Sequence, residues 1–152
     1  MDLVILYHPE PDSSGHTYGP DSTEMNDLLK SLNEDMGYLS RQLKFFNLDK
    51  TLNIIITSDH GMRSIDHSIQ IRRDSTLFEN VVEMDVLIHA RPVKGQTVDS
   101  VVARLNESYR NVSVWRKADV PSSYHYSNSD RILPVLVAAD KGYIFTDDGT
   151  GM

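Results

Sequence analysis

The sequence contains no cysteine, no long apolar run and no excess of basic residues. Without cysteine the chain can form neither disulfides nor thiolate metal sites. Its longest apolar run, near residues 133–139, is much shorter than the roughly 20 residues that a transmembrane helix needs, so no membrane anchor is predicted within these residues. Fifteen basic residues against 22 acidic ones give a net charge of −7. This balance argues against a large nucleic acid as a partner, because such binding requires a basic face.

The remaining composition is that of an ordinary globular chain. Hydrophobic residues make up 39% and charged residues 24% of the 152 residues. That length predicts about one domain, spanning residues 1–152. The acidic balance still permits a small phosphate ester as substrate, provided that metal ions supply the positive charge.

The first half of the chain predicts a βαβ unit. The apolar run Leu3–Tyr7 and the β-branched run within Leu52–Thr57 are typical of buried parallel strands. Between them, apolar residues recur at three- and four-residue steps from Met25 to Phe46, which predicts a helix. Asp21 and Glu24 have the spacing of a capping box at its start. The segment 8–16, with two prolines and a glycine, is predicted to be a loop.

The second half, residues 81–146, has the pattern of an α+β segment. A weak boundary near residues 74–80 would separate it from the first half. The predicted elements are a strand over Val81–Ala90, a helix over Val98–Leu105, a strand over Val112–Trp115 and a final strand pair formed by Ile132–Ala138 and Gly142–Thr146.

Two aspartate–histidine couples follow the two predicted strands of the first half. Asp12 and His16 lie in the loop after the first strand, and Asp59 and His60 follow the second. Because ligands bind where parallel strands end, the two couples should lie side by side. Carboxylate oxygen and neutral imidazole nitrogen together suit Zn²⁺ better than Mg²⁺ or Ca²⁺. The alternative for each couple alone is a solvated turn.

Three segments resemble the ectonucleotide pyrophosphatase/phosphodiesterases of the alkaline phosphatase superfamily. They are Tyr7–Pro20, with Pro11-Asp12-Ser13-Ser14-Gly15-His16 at its centre, Asn53–Met62, and His125–Pro134. The resemblance runs in order over essentially the whole chain. It implies an α/β fold: a partial alkaline-phosphatase-like core with parallel strands and a covering helix, followed by the α+β segment.

The resemblance also implies a site with two zinc ions. Asp12 and His16 would bind one ion, completed by a histidine nearer the carboxyl terminus. Asp59 and His60 would bind the other, completed by an aspartate and a threonine nucleophile nearer the amino terminus. The expected nucleophile precedes residue 1 and the expected histidine follows residue 152, so no catalytic residue is assigned here and this chain alone is expected to be inactive.

The implied reaction is hydrolysis of phosphodiester or pyrophosphate bonds in nucleotides through a covalent threonine intermediate. Tyr7 either lines the substrate pocket, where an aromatic ring can stack on a base or bound a lipid chain, or caps a strand end. Three alternatives remain open: a choline-headgroup phospholipid phosphodiesterase of the same family, a non-catalytic metal- or partner-binding module, and an alkaline-phosphatase-like monoesterase or sulfatase.

Two glycosylation acceptor triplets begin at Asn106 and Asn111. Chance gives about one such triplet in a chain of this size, so the pattern is weak evidence by itself. It agrees with the extracellular or cell-surface location that the resemblance implies.

Overall fold

The computed structural model describes residues 3–71 and 76–147. The chain divides into two compact units, Met1–Ser64 and Ile65–Met152. This division precedes the boundary predicted near 74–80, and residues 74 and 75 of that prediction lie outside the described residues. Residues 149–152, after which the next family motif was expected, also lie outside them.

The first unit contains two helices, α1 (Asp12–Tyr18) and α2 (Thr23–Phe45). Helix α2 confirms the prediction made from its apolar spacing. Its cap differs from the predicted one: Ser22, not Asp21, is the N-cap, and its hydroxyl oxygen accepts the Met25 N–H at 3.1 Å. The serine side chain reaches this N–H because Ser22 is extended (φ −74°, ψ 161°) directly before the first helical turn.

The two strands predicted for the first half are not present. Residues 3–7 and 52–57 adopt no strand pairing, and their apolar side chains are exposed, Ile5 by 83% and Ile55 by 88%. A strand forms only where a neighbour accepts its backbone hydrogen bonds. Within the described residues no such neighbour lies beside either segment. The apolar pattern therefore indicates that both segments favour burial, but the described residues leave their apolar side chains exposed.

The described residues of the second unit form two sheets. The parallel sheet pairs β1 (His67–Ile71) with β6 (Tyr143–Asp147). The antiparallel sheet has the order β2-β3-β5-β4, formed by Phe78–Met84, Leu87–Pro92, Val135–Ala139 and Val112–Arg116.

Two strand predictions in this unit need correction. The single strand predicted over Val81–Ala90 is a hairpin, because residues 85 and 86 form a turn that lets Met84 pair with Leu87. The predicted final pair does not pair with itself: β5 joins β3 and β4, whereas β6 joins β1. Periodicity locates strands but does not identify their partners, which is why the strand after Gly142 was misassigned.

The hydrophobic core of the second unit lies between its antiparallel sheet and helix α3 (Val98–Ser108). Thr97 and Ser100 form a capping box in which each side chain binds the other residue's backbone N–H at 3.1 Å. The spacing of Val101 and Leu105 then places both on the buried face, as the apolar pattern predicts. The buried members of this core are Ile71, Leu77, Ile88, Val101, Leu105, Val135 and Val137.

Taken together, the elements confirm the predicted α/β class, with a parallel and an antiparallel sheet. Among the helices described, none combines the length and the apolar character needed to cross a bilayer.

Candidate metal centre

Asp12 and His16 lie on helix α1, where a loop was predicted. Their spacing of four residues places both side chains on one face of the helix, with His16 Nε2 3.5 Å from Asp12 Oδ1. The helix begins after Pro11, which has no N–H to leave unsatisfied. The Ser14 N–H donates to Glu10 Oε2 at 3.0 Å, so a carboxylate satisfies one of the free donors of the first turn.

Asp59 and His60 lie in the irregular segment that follows residue 57. The His60 backbone N–H donates to Asp59 Oδ1 at 3.1 Å, and His60 Nδ1 lies 3.0 Å from the Gly61 carbonyl oxygen. A carbonyl oxygen can only accept, so the proton of the neutral ring belongs on Nδ1. This tautomer leaves the lone pair of His60 Nε2 available to a metal ion.

The two couples converge on the carboxylate of Asp12. Its Oδ1 lies 3.5 Å from His16 Nε2 and 4.0 Å from His60 Nε2, and His60 Nε2 is 3.6 Å from Asp59 Oδ2. The structure therefore links the two couples through His60, which lies 4.0 Å from Asp12, although neither couple follows a formed strand.

Asp12 Oδ1 is shielded from solvent and has no hydrogen-bond partner among the described residues. A buried polar atom without a partner is rare in native proteins because it has lost its hydration without compensation. Here it lies 3.5 Å and 4.0 Å from two imidazole nitrogens, and the second of these, on His60, is 3.6 Å from the Asp59 carboxylate. An oxygen and nitrogen donor set of this kind fits a divalent cation, and zinc in particular.

The four residues do not complete a metal site by themselves. Across residues 3–71 and 76–147, no group of three or more His, Asp or Glu side chains is arranged to hold an ion. The resemblance implies that each ion takes only two of its ligands from this chain. The metal assignment stays a prediction.

Two residues that hold the site were not identified from the sequence. Met62 packs against Gly15 on helix α1, and Glu10 binds the first turn of that helix. Gly15 was expected to turn a loop; instead it is the buried residue of α1. A packed thioether has no sequence signature, so only the structure reveals it.

The other predicted residues are all exposed. Tyr7 is 82% exposed in the irregular segment before α1, and its role in substrate binding stays a prediction. Asn106 lies in the last turn of α3 and Asn111 directly before β4, at a positive φ of 59°.

Comparison with known proteins identifies relatives over nearly the whole chain. The family model of type I phosphodiesterase / nucleotide pyrophosphatase matches residues 1–151. Ectonucleotide pyrophosphatase/phosphodiesterase family member 7 of Mus musculus is 36% identical over 152 residues, covering 95% of this chain and 35% of that protein. Bis(5'-adenosyl)-triphosphatase ENPP4 of Bos taurus is 36% identical over 147 residues, covering 94% of this chain and 32% of that protein.

Comparison with solved structures also identifies relatives over nearly the whole chain. Human ectonucleotide pyrophosphatase/phosphodiesterase 5 matches with a TM-score of 0.76 and 32% identity, over 94% of this chain and 39% of that one. An inactive variant of the murine protein, in complex with AMP, matches with a TM-score of 0.75 and 30% identity, over 94% of this chain and 39% of that one. The chain spans about a third of the length of the curated relatives that it matches.

Proposed function

This chain belongs to the type I phosphodiesterase / nucleotide pyrophosphatase family, and from that membership we propose that it forms part of a zinc-dependent catalytic domain. The domain would hydrolyse phosphodiester or pyrophosphate bonds in nucleotides. Since the relatives are about three times as long, the proposal concerns the complete domain, to which these residues would contribute two ligands for each metal ion.

The observation that supports this proposal is the convergence of the two aspartate–histidine couples. Asp12 Oδ1 is buried without a partner and lies within 4.0 Å of the Nε2 atoms of both His16 and His60. Solvated turns would not bring four such groups together from positions more than forty residues apart in the sequence. A dinuclear cation site explains both the convergence and the unpartnered oxygen.

In this site Asp12 and His16 would hold one ion, and Asp59 and His60 the other. When bound, two zinc ions would supply positive charge to the attacking and leaving oxygens of the phosphate ester. Groups of the protein prepare the site for this chemistry: the Gly61 backbone carbonyl holds the His60 proton on Nδ1, and the aspartates would balance the charge of the cations.

The printed names of the relatives favour a nucleotide as substrate. One relative is named a bis(5'-adenosyl)-triphosphatase, and the murine structure contains AMP. Tyr7 presents an exposed aromatic ring that could stack on a base or bound a lipid chain, so it does not distinguish the two substrates.

The substrate is tested with a longer protein that includes these residues and the remaining family ligands. It is assayed with zinc on a dinucleoside polyphosphate, a choline lysophospholipid and a phosphate monoester. We expect the nucleotide to be cleaved fastest. Cleavage of the lipid or the monoester alone would overturn the nucleotide assignment, and binding of zinc without any hydrolysis would favour a non-catalytic module.

The 152 residues alone are proposed to be inactive, because they provide only two predicted ligands for each ion and no assigned nucleophile. Zinc titration of this chain tests the metal assignment separately. His16→Ala and Asp59→Ala should weaken zinc binding, whereas Asp49→Ala, at an exposed turn residue, should not. Unchanged zinc stoichiometry and affinity in both ligand variants would remove the assignment, and turnover by this chain would contradict the expected inactivity.

We also propose that the protein is extracellular or at the cell surface and carries glycans at Asn106 and Asn111. Both side chains are exposed, as a glycan requires. Expression through a secretory pathway should give a mass that falls on enzymatic deglycosylation. Asn106→Gln and Asn111→Gln should each remove part of that difference, and an unchanged mass would contradict the proposal.

A further inference from the structure

Helix α1 is pressed against Met62 at its only buried residue, Gly15. A Cβ atom placed on Gly15 would overlap Sδ of Met62, and it would lie 2.9 Å from Cε of Met62 and 3.2 Å from Cε of Met25. The methionine side chain therefore occupies the space that any other residue at position 15 would fill. Methionine suits such a gap because its unbranched thioether adapts to irregular surfaces.

The position of this contact relates it to the metal centre. Gly15 lies between Asp12 and His16 in the sequence, and three residues from Asp12 it shares that residue's side of the helix. Met62 is two residues from His60. The contact thus joins the helix that carries one couple to the segment that carries the other, directly beside the four ligands.

A second link between the same parts of the chain is weaker. The Ser64 hydroxyl donates to Asp21 Oδ2 at 3.2 Å, and both side chains are exposed. An exposed hydrogen bond competes with water and contributes little net free energy. The packing of Met62 on Gly15 is therefore the main constraint on the separation of the two couples.

We propose that Met62 is a positioning residue: its packing against Gly15 sets the distance between the Asp12/His16 couple and the Asp59/His60 couple. The consequence for zinc rests on the proposed function, but the geometric claim does not. Without Met62 each aspartate–histidine couple stays together. His60, however, is no longer held within 4.0 Å of Asp12.

The geometric claim is tested without metal, by pulsed electron paramagnetic resonance. The chain has no cysteine, so Thr17→Cys and Arg63→Cys introduce the only two spin-label sites, both at exposed positions. With Met62 present we expect a narrow distribution of label distances. Met62→Ala should broaden it, Met62→Leu should largely restore it, and Gly15→Ala should shift it by displacing the thioether.

Met36→Ala is the matched control, since Met36 lies on α2 and is 38% exposed against 37% for Met62. A merely structural role for Met62 would lower the unfolding midpoint but leave the distances in the folded protein unchanged. If Met62→Ala, measured under folded conditions, gives the same distribution as Met36→Ala, the positioning role is overturned.

Titration with zinc alone then tests the consequence. Met62→Ala should weaken zinc binding by about 10- to 100-fold, the loss typical of residues that orient ligands. If the unsubstituted chain binds no zinc, the metal assignment of these four residues fails while the distance measurement still decides the positioning role. If zinc binds equally well to the parent and Met62→Ala, only the positioning role fails.

Discussion

Leu105 offers the sharpest test of the core assigned to the second unit. It is 2% exposed on the inner face of α3 and belongs to the cluster that joins this helix to the antiparallel sheet. Replacing leucine by alanine at such a site removes buried apolar surface and leaves a cavity. Measured costs for this substitution are about 2–5 kcal/mol. Since Leu105 is almost completely enclosed, we expect about 3 kcal/mol.

The single tryptophan makes this measurement specific to one unit. Trp115 lies on β4, so its fluorescence reports the unfolding of the second unit alone. With a urea dependence of about 2 kcal/mol per molar, a loss of about 3 kcal/mol lowers the midpoint by about 1.5 M. The matched control is Leu29→Ala on α2, where the side chain is 46% exposed and lies in the other unit.

We expect Leu29→Ala to leave the Trp115 transition almost unchanged. The assigned core would be refuted if Leu105→Ala lowered the midpoint by less than about 0.5 M, or if both variants lowered it equally. A parallel change in the slope of the transition would show that the substitution altered the denatured state as well, and the comparison would then use midpoints from thermal unfolding.

Three further predictions concern the second unit, with Trp115 fluorescence in urea as the measurement. Burial lowers the pKa of His89, whose Nδ1 accepts the Leu133 N–H at 3.1 Å. As pH drops, His89 is therefore protonated in the unfolded chain before it is protonated in the folded one. The free energy of unfolding should fall as pH drops below 6.5. His89→Asn, which keeps an acceptor without titrating, should flatten that dependence. Thr97→Ala should cost about 1 kcal/mol through loss of the helix cap, and Thr97→Ser much less. Gly142→Ala should cost about 1–2 kcal/mol, because φ there is 86° and a Cβ would crowd the Asp66 carboxylate. A flat pH profile in the parent chain, or no loss in the latter two alanine variants, would contradict these assignments.

Helices were predicted best because their signals are local. The apolar spacing from Met25 to Phe46 is enough to define α2. Helix α1 was missed because Pro11 and Gly15 are usually helix breakers. Here Pro11 stands before the first helical residue, where a missing N–H costs nothing, and Gly15 is tolerated because Met62 packs where a side chain would be.

Strand pairing was predicted poorly because it depends on distant parts of the chain. The apolar runs at residues 3–7 and 52–57 were expected to form the parallel pair, whereas the observed pair joins His67–Ile71 with Tyr143–Asp147. Side-chain pattern shows that a segment can be buried in a sheet; it does not show which segment lies beside it.

The metal centre lies between these extremes. Residue type and spacing identified Asp12, His16, Asp59 and His60, and in the structure His60 links the two couples by its 4.0 Å approach to Asp12. The contacts that orient them, such as His60 Nδ1 with the Gly61 carbonyl, depend on backbone geometry that no spacing reveals.

The central claim is that each aspartate–histidine couple holds one of two zinc ions. Anomalous X-ray diffraction at the zinc absorption edge, from crystals of a zinc-loaded protein that includes these residues, tests it most directly. We predict two peaks, one about 2.0–2.2 Å from ligand atoms of Asp12 and His16 and the other at the same range from Asp59 and His60. A single peak, or peaks away from these four side chains, would contradict the account.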